Sequence, residues 1–170
     1  SAMGKETDDL LRLAGEVSAV HPGREMDMLV TAGERKAMAL VCMALHDSGI
    51  DSESFTGSQA GFLTDTSHQN ARIVEVRPDR VRASLGAGRV PVIGGSQGVS
   101  TDNDVTFLGR GGSDTTAVAL AHALGADACE LYTDVTGVFT TDPRVVPTAR
   151  RMATISFEEL LEMTATGCPK

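Results

Sequence analysis

The chain has 170 residues, 41% of them hydrophobic and 22% charged, with a formal net charge of -8. That length suits one domain with a real core, since domains commonly hold roughly 100–200 residues. The acidic balance argues against a nucleic-acid surface, which needs a basic stripe, and no run approaches the ~18 apolar residues of a membrane span.

Residues 7–20 read as a helix, with Thr7 or Asp8 as its cap and Leu10, Leu11, Leu13, Ala14 and Val17 on one side. His21-Pro22-Gly23 ends it. Residues 24–47 carry a long apolar-periodic pattern closed by Ser48-Gly49. Gly33 interrupts that pattern at a cost of about 1 kcal/mol against alanine, which points to a close backbone approach or a helix break. Strands are expected at 52–56, 72–76 and 89–93, with a helix at 79–87. Residues 94–98 read as a flexible glycine-rich loop, and 101–108 as an exposed turn. A helix at 115–124, capped by Gly125, a strand at 129–133 and a last helix at 154–165 complete the pass. Alternating strands and helices imply an α/β fold with a largely parallel sheet flanked by helices, in one domain. Ligands gather at the carboxyl ends of such strands, and each glycine-rich loop here follows one.

Cysteine and histidine usage adds little chemistry. Cys42, Cys129 and Cys168 show no paired or metal-like spacing, and His21, His46, His68 and His122 form no metal constellation. Cys42 and Cys129 lie in apolar runs and read as buried free thiols of a reducing compartment. With no signal peptide at Ser1, a cytoplasmic address is expected.

The densest motif is Leu108-Gly109-Arg110-Gly111-Gly112-Ser113-Asp114, at the mouth of a helix. Bare N–H groups, the positive end of a helix dipole and an arginine fork make it an anion cradle. The alternative is a tight turn with Ser113 as N-cap. A second cluster runs from Tyr132-Thr133-Asp134 through Phe139 to Asp142-Pro143-Arg144. It can hold a nucleotide, directly or through hydrated magnesium, or it can be two successive turns. Glu34 and Arg35 are either functional or one solvent-facing turn of a helix. The loop at 55–61 is polar and small-residue, and suits the lining of the same cleft. No Ser/His/Asp arrangement and no Gly-Lys-Ser/Thr phosphate loop is present.

Taken together, Leu-Gly-Arg-Gly-Gly-Ser-Asp at 108–114, Tyr-Thr-Asp-Val-x-Gly-Val-Phe at 132–139 and Thr-Asp-Pro-Arg-Val-Val at 141–146 resemble aspartate kinase, of the amino acid kinase superfamily. Ser1-Ala2-Met3-Gly4, Thr31-Ala32-Gly33-Glu34-Arg35, the 54–61 segment and Phe157-Glu158-Glu159 follow in family order across almost the whole chain. The resemblance implies phosphorylation of the L-aspartate side-chain carboxylate by ATP with Mg2+, giving 4-phospho-L-aspartate. That is the first step toward lysine, threonine and methionine, and in bacteria diaminopimelate. By the same resemblance Arg110 clamps an aspartate carboxylate, while Glu34, with Asp114 assisting, holds the ammonium group. Ser1, Thr7, Gly111, Gly112 and Ser113 line the aspartate pocket, and Thr133, Asp134, Phe139, Asp142 and Arg144 face the nucleotide. L-aspartate and ATP are the expected partners, without nucleic acid or membrane.

The chain departs from that pattern in four places. It starts after the family's Lys-x-Gly-Gly loop, and Lys170 stands one position late for a second ATP-side lysine. Gly95-Ser96-Gln97-Gly98 stands where Gly-Phe-x-Gly is common, and Thr136 interrupts the frequent Asp-Val-Asp-Gly. The regulatory ACT domains are absent, so an incomplete kinase domain with little activity of its own is expected. The alternatives are a non-catalytic remnant that binds aspartate, nucleotide or a full-length partner, and a kinase of the same superfamily acting on another acid or phosphate. An exposed sheet edge would favour a homo-oligomer.

Overall fold

The computed structural model describes residues 1–133 and 136–165. It divides into two compact units, Ser1–Leu131 and Tyr132–Lys170.

In chain order the first unit contains α1 (Glu6–Val17), α2 (Gly23–Asp47), β1 (Ser52–Phe55), β2 (Phe62–Thr64), β3 (Ile73–Val76), α3 (Asp79–Gly86), β4 (Val90–Ile93), β5 (Gln97–Ser100), β6 (Val105–Phe107) and α4 (Gly112–Leu124). The apolar periodicity after Pro22 gives one unbroken helix of 25 residues. Gly33 is therefore a close approach and not a break. A Cβ at that position would lie 2.9 Å from Glu6 Cγ and 3.2 Å from Ala2 Cβ, so α1 packs directly on the backbone of α2.

The strands form two sheets. β1 and β4 pair in parallel across the α3 crossover, Ser52 opposite Val90 and Phe55 opposite Ile93. The other sheet has the order β3-β2-β5-β6. Within it β2 and β5 are parallel, whereas β2–β3 and β5–β6 are antiparallel. The α/β class holds, with the parallel expectation met in two of the four pairings and the other two antiparallel. The antiparallel β5–β6 hairpin replaces what the sequence suggests as a flexible loop and an exposed turn. Beside half-buried Val99, Val105 and Phe107, the polar or glycine residues Gln97, Gly98, Ser100 and Thr106 are all buried.

Phe55, Ala60, Phe62 and Val81 form the core, closed by Ile73, Val76 and Ile93 from the sheets and by Ala119, Leu120 and Leu124 of α4. Fully burying a phenylalanine contributes roughly 1.5–3 kcal/mol, so Phe55 and Phe62 weigh heavily in this small core. The expected strand at 129–133 does not form. Cys129 is exposed there, contrary to the buried-thiol reading, while Cys42 is buried in α2.

In the second unit Phe139 and Arg151 make an antiparallel bridge, backed by Thr140 N–H to Arg150 O at 2.9 Å and Met152 N–H to Val138 O at 2.8 Å. α5 (Phe157–Ala165) starts at a reciprocal cap. Glu159 N–H donates to Ser156 Oγ at 3.2 Å, and Ser156 N–H donates to Glu159 Oε2 at 2.9 Å. No helix among the described residues is long and apolar enough to cross a membrane.

Candidate active site

The glycine-rich loop enters α4 through Gly111, whose φ of +77° is the left-handed conformation that glycine adopts without a Cβ penalty. Gly112 is the first helical residue, so Ser113 already lies inside the helix and is not its cap. A helix start leaves its first N–H groups without intrahelical partners, and the dipole adds partial positive charge, though here the Gly112 N–H already donates to Gly109 O at 3.2 Å. Arg110 stands just before them, 84% exposed, with Nη2 3.7 Å from Asp8 Oδ1. Asp114 is exposed in the first turn of α4.

Arg110 and Gly109 line a cavity of about 190 Å³ together with Thr7, Gln69, Leu11, Met26, Val30 and Phe107. Of the residues expected at an aspartate pocket, the structure thus brings Thr7 and Arg110 to one opening. Ser1, Glu34, Gly111, Gly112, Ser113 and Asp114 are not among its walls. Its lining combines polar Thr7, Gln69 and Arg110 with apolar Leu11 of α1, Met26 and Val30 of α2 and Phe107 of β6. Arg110 is largely exposed, so a carboxylate reaching this opening meets a guanidinium open to water, and the planar fork supplies charge-assisted bonds to it.

Glu34 is buried in α2, which overturns the reading of residues 34–35 as a solvent-facing turn. Its Oε2 makes no hydrogen bond and lies 3.2 Å from the Ser1 amino nitrogen as an ion pair. A carboxylate so withdrawn from water favours a cation beside it. That is the property an ammonium-binding residue needs. Arg35 is half-buried, with Nε lacking a hydrogen-bond partner.

In the second unit Arg144 grips Asp142 from three nitrogens. Nη2 donates to Oδ2 at 2.7 Å, Nε to Oδ1 at 3.1 Å, and the Arg144 N–H to Oδ1 at 2.8 Å. These bonds hold the Asp142 carboxyl below the usual aspartate range and push the Arg144 guanidinium up. Asp142 is therefore committed to its own turn. Thr133 is exposed and Phe139 half-buried, while Asp134 lies outside the described residues. A cavity of about 350 Å³ in this unit is lined by Thr140, Met152, Glu159, Glu162 and Met163, none of them an expected nucleotide residue. Among the described residues no three His, Cys, Asp or Glu side chains gather into a cation site.

Residues 1–169 match the amino acid kinase family. The chain belongs to that family. As an amino acid kinase it is 61% identical over 168 residues to an aspartokinase of Mycolicibacterium smegmatis, covering 98% of this chain and 40% of that relative. It superposes on the aspartate kinase of Synechocystis with a TM-score of 0.81 at 46% identity, covering 98% of this chain and 27% of that one. A structure of E. coli aspartokinase III in complex with aspartate and ADP gives a TM-score of 0.80 at 31% identity, over 93% of this chain and 36% of that one. The chain spans about two fifths of the length of the curated relative it matches.

This amino acid kinase also uses residues that motif reading passes over. Asp27 on α2 is fully buried, with Oδ2 2.8 Å from His68 Nδ1 and Oδ1 accepting the Gln69 N–H at 2.9 Å. It thereby fastens the 65–72 loop to α2, and a Cβ on Gly109 would meet Gln69 O at 3.2 Å. Asp65 steadies the same loop by accepting from Arg72 N–H at 3.2 Å and Ser67 N–H at 3.1 Å, bonds that lower its pKa. The available signal was a lone aspartate between Met26 and Met28 in an apolar-periodic helix.

Proposed function

We propose that this chain carries the aspartate-binding part of an aspartate kinase, which transfers the γ-phosphoryl group of magnesium-bound ATP to the side-chain carboxylate of L-aspartate. The observation that carries this reading is the cavity where Arg110, delivered by the glycine-capped start of α4, opens beside Thr7. Support comes from the relatives bearing the aspartokinase name and from the E. coli aspartokinase III complex with aspartate and ADP.

The chemistry suits such residues. A carboxylate oxygen of aspartate attacks the γ-phosphorus, the bond from that phosphorus to the β,γ-bridging oxygen breaks, and ADP departs with the electron pair. The nucleophile is already an anion, so no general base is required. The protein must position two negatively charged partners and offset their repulsion. Arg110 fixes a substrate carboxylate by its planar fork, and the first N–H groups of α4, reached through Gly111, Gly112 and Ser113, add donors. Buried Glu34 offers a counter-charge for the substrate ammonium group, with Asp114 adding negative potential at the helix start. Thr133, Asp134, Phe139, Asp142 and Arg144 are the nucleotide-side set. Asp142, held by Arg144, shapes a turn in this set, and magnesium arriving with ATP would be held through the phosphates, waters and one or two carboxylates. The free thiols of Cys42 and Cys129 accord with a reducing, cytoplasmic setting.

Titration calorimetry of the 170-residue chain with L-aspartate, L-asparagine and L-glutamate tests the reading. Saturable binding of aspartate with loss of affinity for asparagine is the expected result. Equal affinity for aspartate and asparagine, or no aspartate binding, would overturn it. Aspartate-dependent ADP release by the same 170 residues is expected to be small, and turnover like that of an ordinary kinase would contradict that expectation.

A further inference from the structure

Ser96 lies between β4 and β5 with φ of +58°, a left-handed conformation that a serine seldom adopts. It is 4% exposed, and each of its polar groups has a partner. Its N–H donates to Thr116 Oγ1 at 3.0 Å, its carbonyl accepts the Leu108 N–H at 2.8 Å, and its hydroxyl is 3.1 Å from Ser113 Oγ. The Thr116 hydroxyl donates onward to Gly112 O at 2.7 Å. Packing matches the bonding, because a Cβ on Gly112 would sit 2.8 Å from Ser96 Oγ, and one on Gly95 would sit 2.8 Å from Ser113 Oγ.

These bonds reach both ends of the 109–114 loop, Leu108 just before it, Ser113 near its end and Thr116 after it. Arg110 lies between the two anchored ends and is itself on the surface. A strained backbone kept in place by a full set of partners marks a site where geometry is held for a purpose. We infer that Ser96 is a positioning residue for aspartate recognition. It latches the β4–β5 junction to the start of α4 and so sets where Arg110 and the helical N–H groups stand. The inference rests on the aspartate-binding reading above. Ser96 touches no substrate in this account, and it acts through the loop.

The test uses the 170-residue chain, L-aspartate titration and thermal melting. In Ser96→Gly the hydroxyl is lost while the left-handed backbone is relieved of its Cβ, so affinity and stability move apart. The aspartate Kd is expected to rise about three- to tenfold, the range of one ordinary hydrogen bond, with an unchanged or higher melting temperature. Thr116→Val is expected to weaken binding comparably, and Thr116→Ser, which keeps the hydroxyl, to retain the parent Kd. A Ser96→Gly Kd within about twofold of a parent that binds aspartate would overturn this inference alone. A parent that does not bind aspartate would overturn the functional reading and this inference with it.

Discussion

Replacing Arg110 with alanine separates recognition from folding. The side chain is 84% exposed, and its partner Asp8, at 3.7 Å, is 68% exposed. Exposed ion pairs of this kind contribute about 0–1 kcal/mol and weaken with salt, so the variant should melt within a degree or two of the parent. Binding is a different matter. A hydrogen bond to a charged group is worth about 1.5–3 kcal/mol, and about 1.4 kcal/mol is tenfold in affinity. The aspartate Kd of Arg110→Ala should therefore rise roughly ten- to hundredfold. Arg110→Lys keeps the charge but loses the fork, and should fall between the two. Asp8→Asn removes a carboxylate that competes for the same guanidinium, so its affinity should equal or exceed that of the parent. Calorimetric titration paired with scanning calorimetry reads both quantities on one sample. An Arg110→Ala protein with a lowered melting temperature and an unaltered Kd would refute the reasoning, because the arginine would then be structural.

Two further perturbations test the supports. Asp27→Asn should lower the denaturant midpoint by the equivalent of about 2 kcal/mol, since one amide cannot accept from both the Gln69 N–H and the His68 ring without turning its own NH2 toward one of them. An unchanged midpoint would show that the buried carboxylate is dispensable. For Asp142, NMR titration should place the folded pKa below the unfolded value of ~3.9, so the Arg144 contact stabilises above that value and fades as pH falls through the lowered folded pKa. Arg144→Met should return the titration to the ordinary range, and a curve that did not move would assign the shift to another cause.

Helices and flanking strands were legible because their signals are local. Apolar period, Pro22-Gly23 and Ser48-Gly49 bound α2, and Gly33 in that period signals either a close approach or a break, of which α1 makes it the first. The β5–β6 hairpin was not legible. Gln97-Gly98-Val99-Ser100 shows little strand propensity or alternation, and becomes a strand because β2, distant in sequence, and the neighbouring β6 supply partners. The opposite error occurred at 129–133, where Cys-Glu-Leu-Tyr-Thr has strand-like residues but no pairing in the described structure. At the cavity, Arg110 stands out from its residue type in a glycine-rich turn, whereas Thr7 reads locally only as a helix cap and is drawn there by the family resemblance. Ser96 shows in the sequence only as a departure from Gly-Phe-x-Gly, and its contact with the Ser113 hydroxyl depends on the fold. Asp27 escaped because its importance comes from complete burial, which one charged letter in an apolar row does not reveal.

The missing Cβ at position 33 makes the distance between two helices a matter of a single methyl group. A Cβ there would come within 2.9 Å of Glu6 Cγ and 3.2 Å of Ala2 Cβ, so a side chain requires the Glu6 side chain or the start of α1 to shift. Thr7 rides on that first turn and Asp8 follows it, which makes position 33 a gauge block for the mouth of the pocket. A residue that touches no ligand thus sets the calibre of the entrance, and varying it would tune which acids enter without altering any group that binds them.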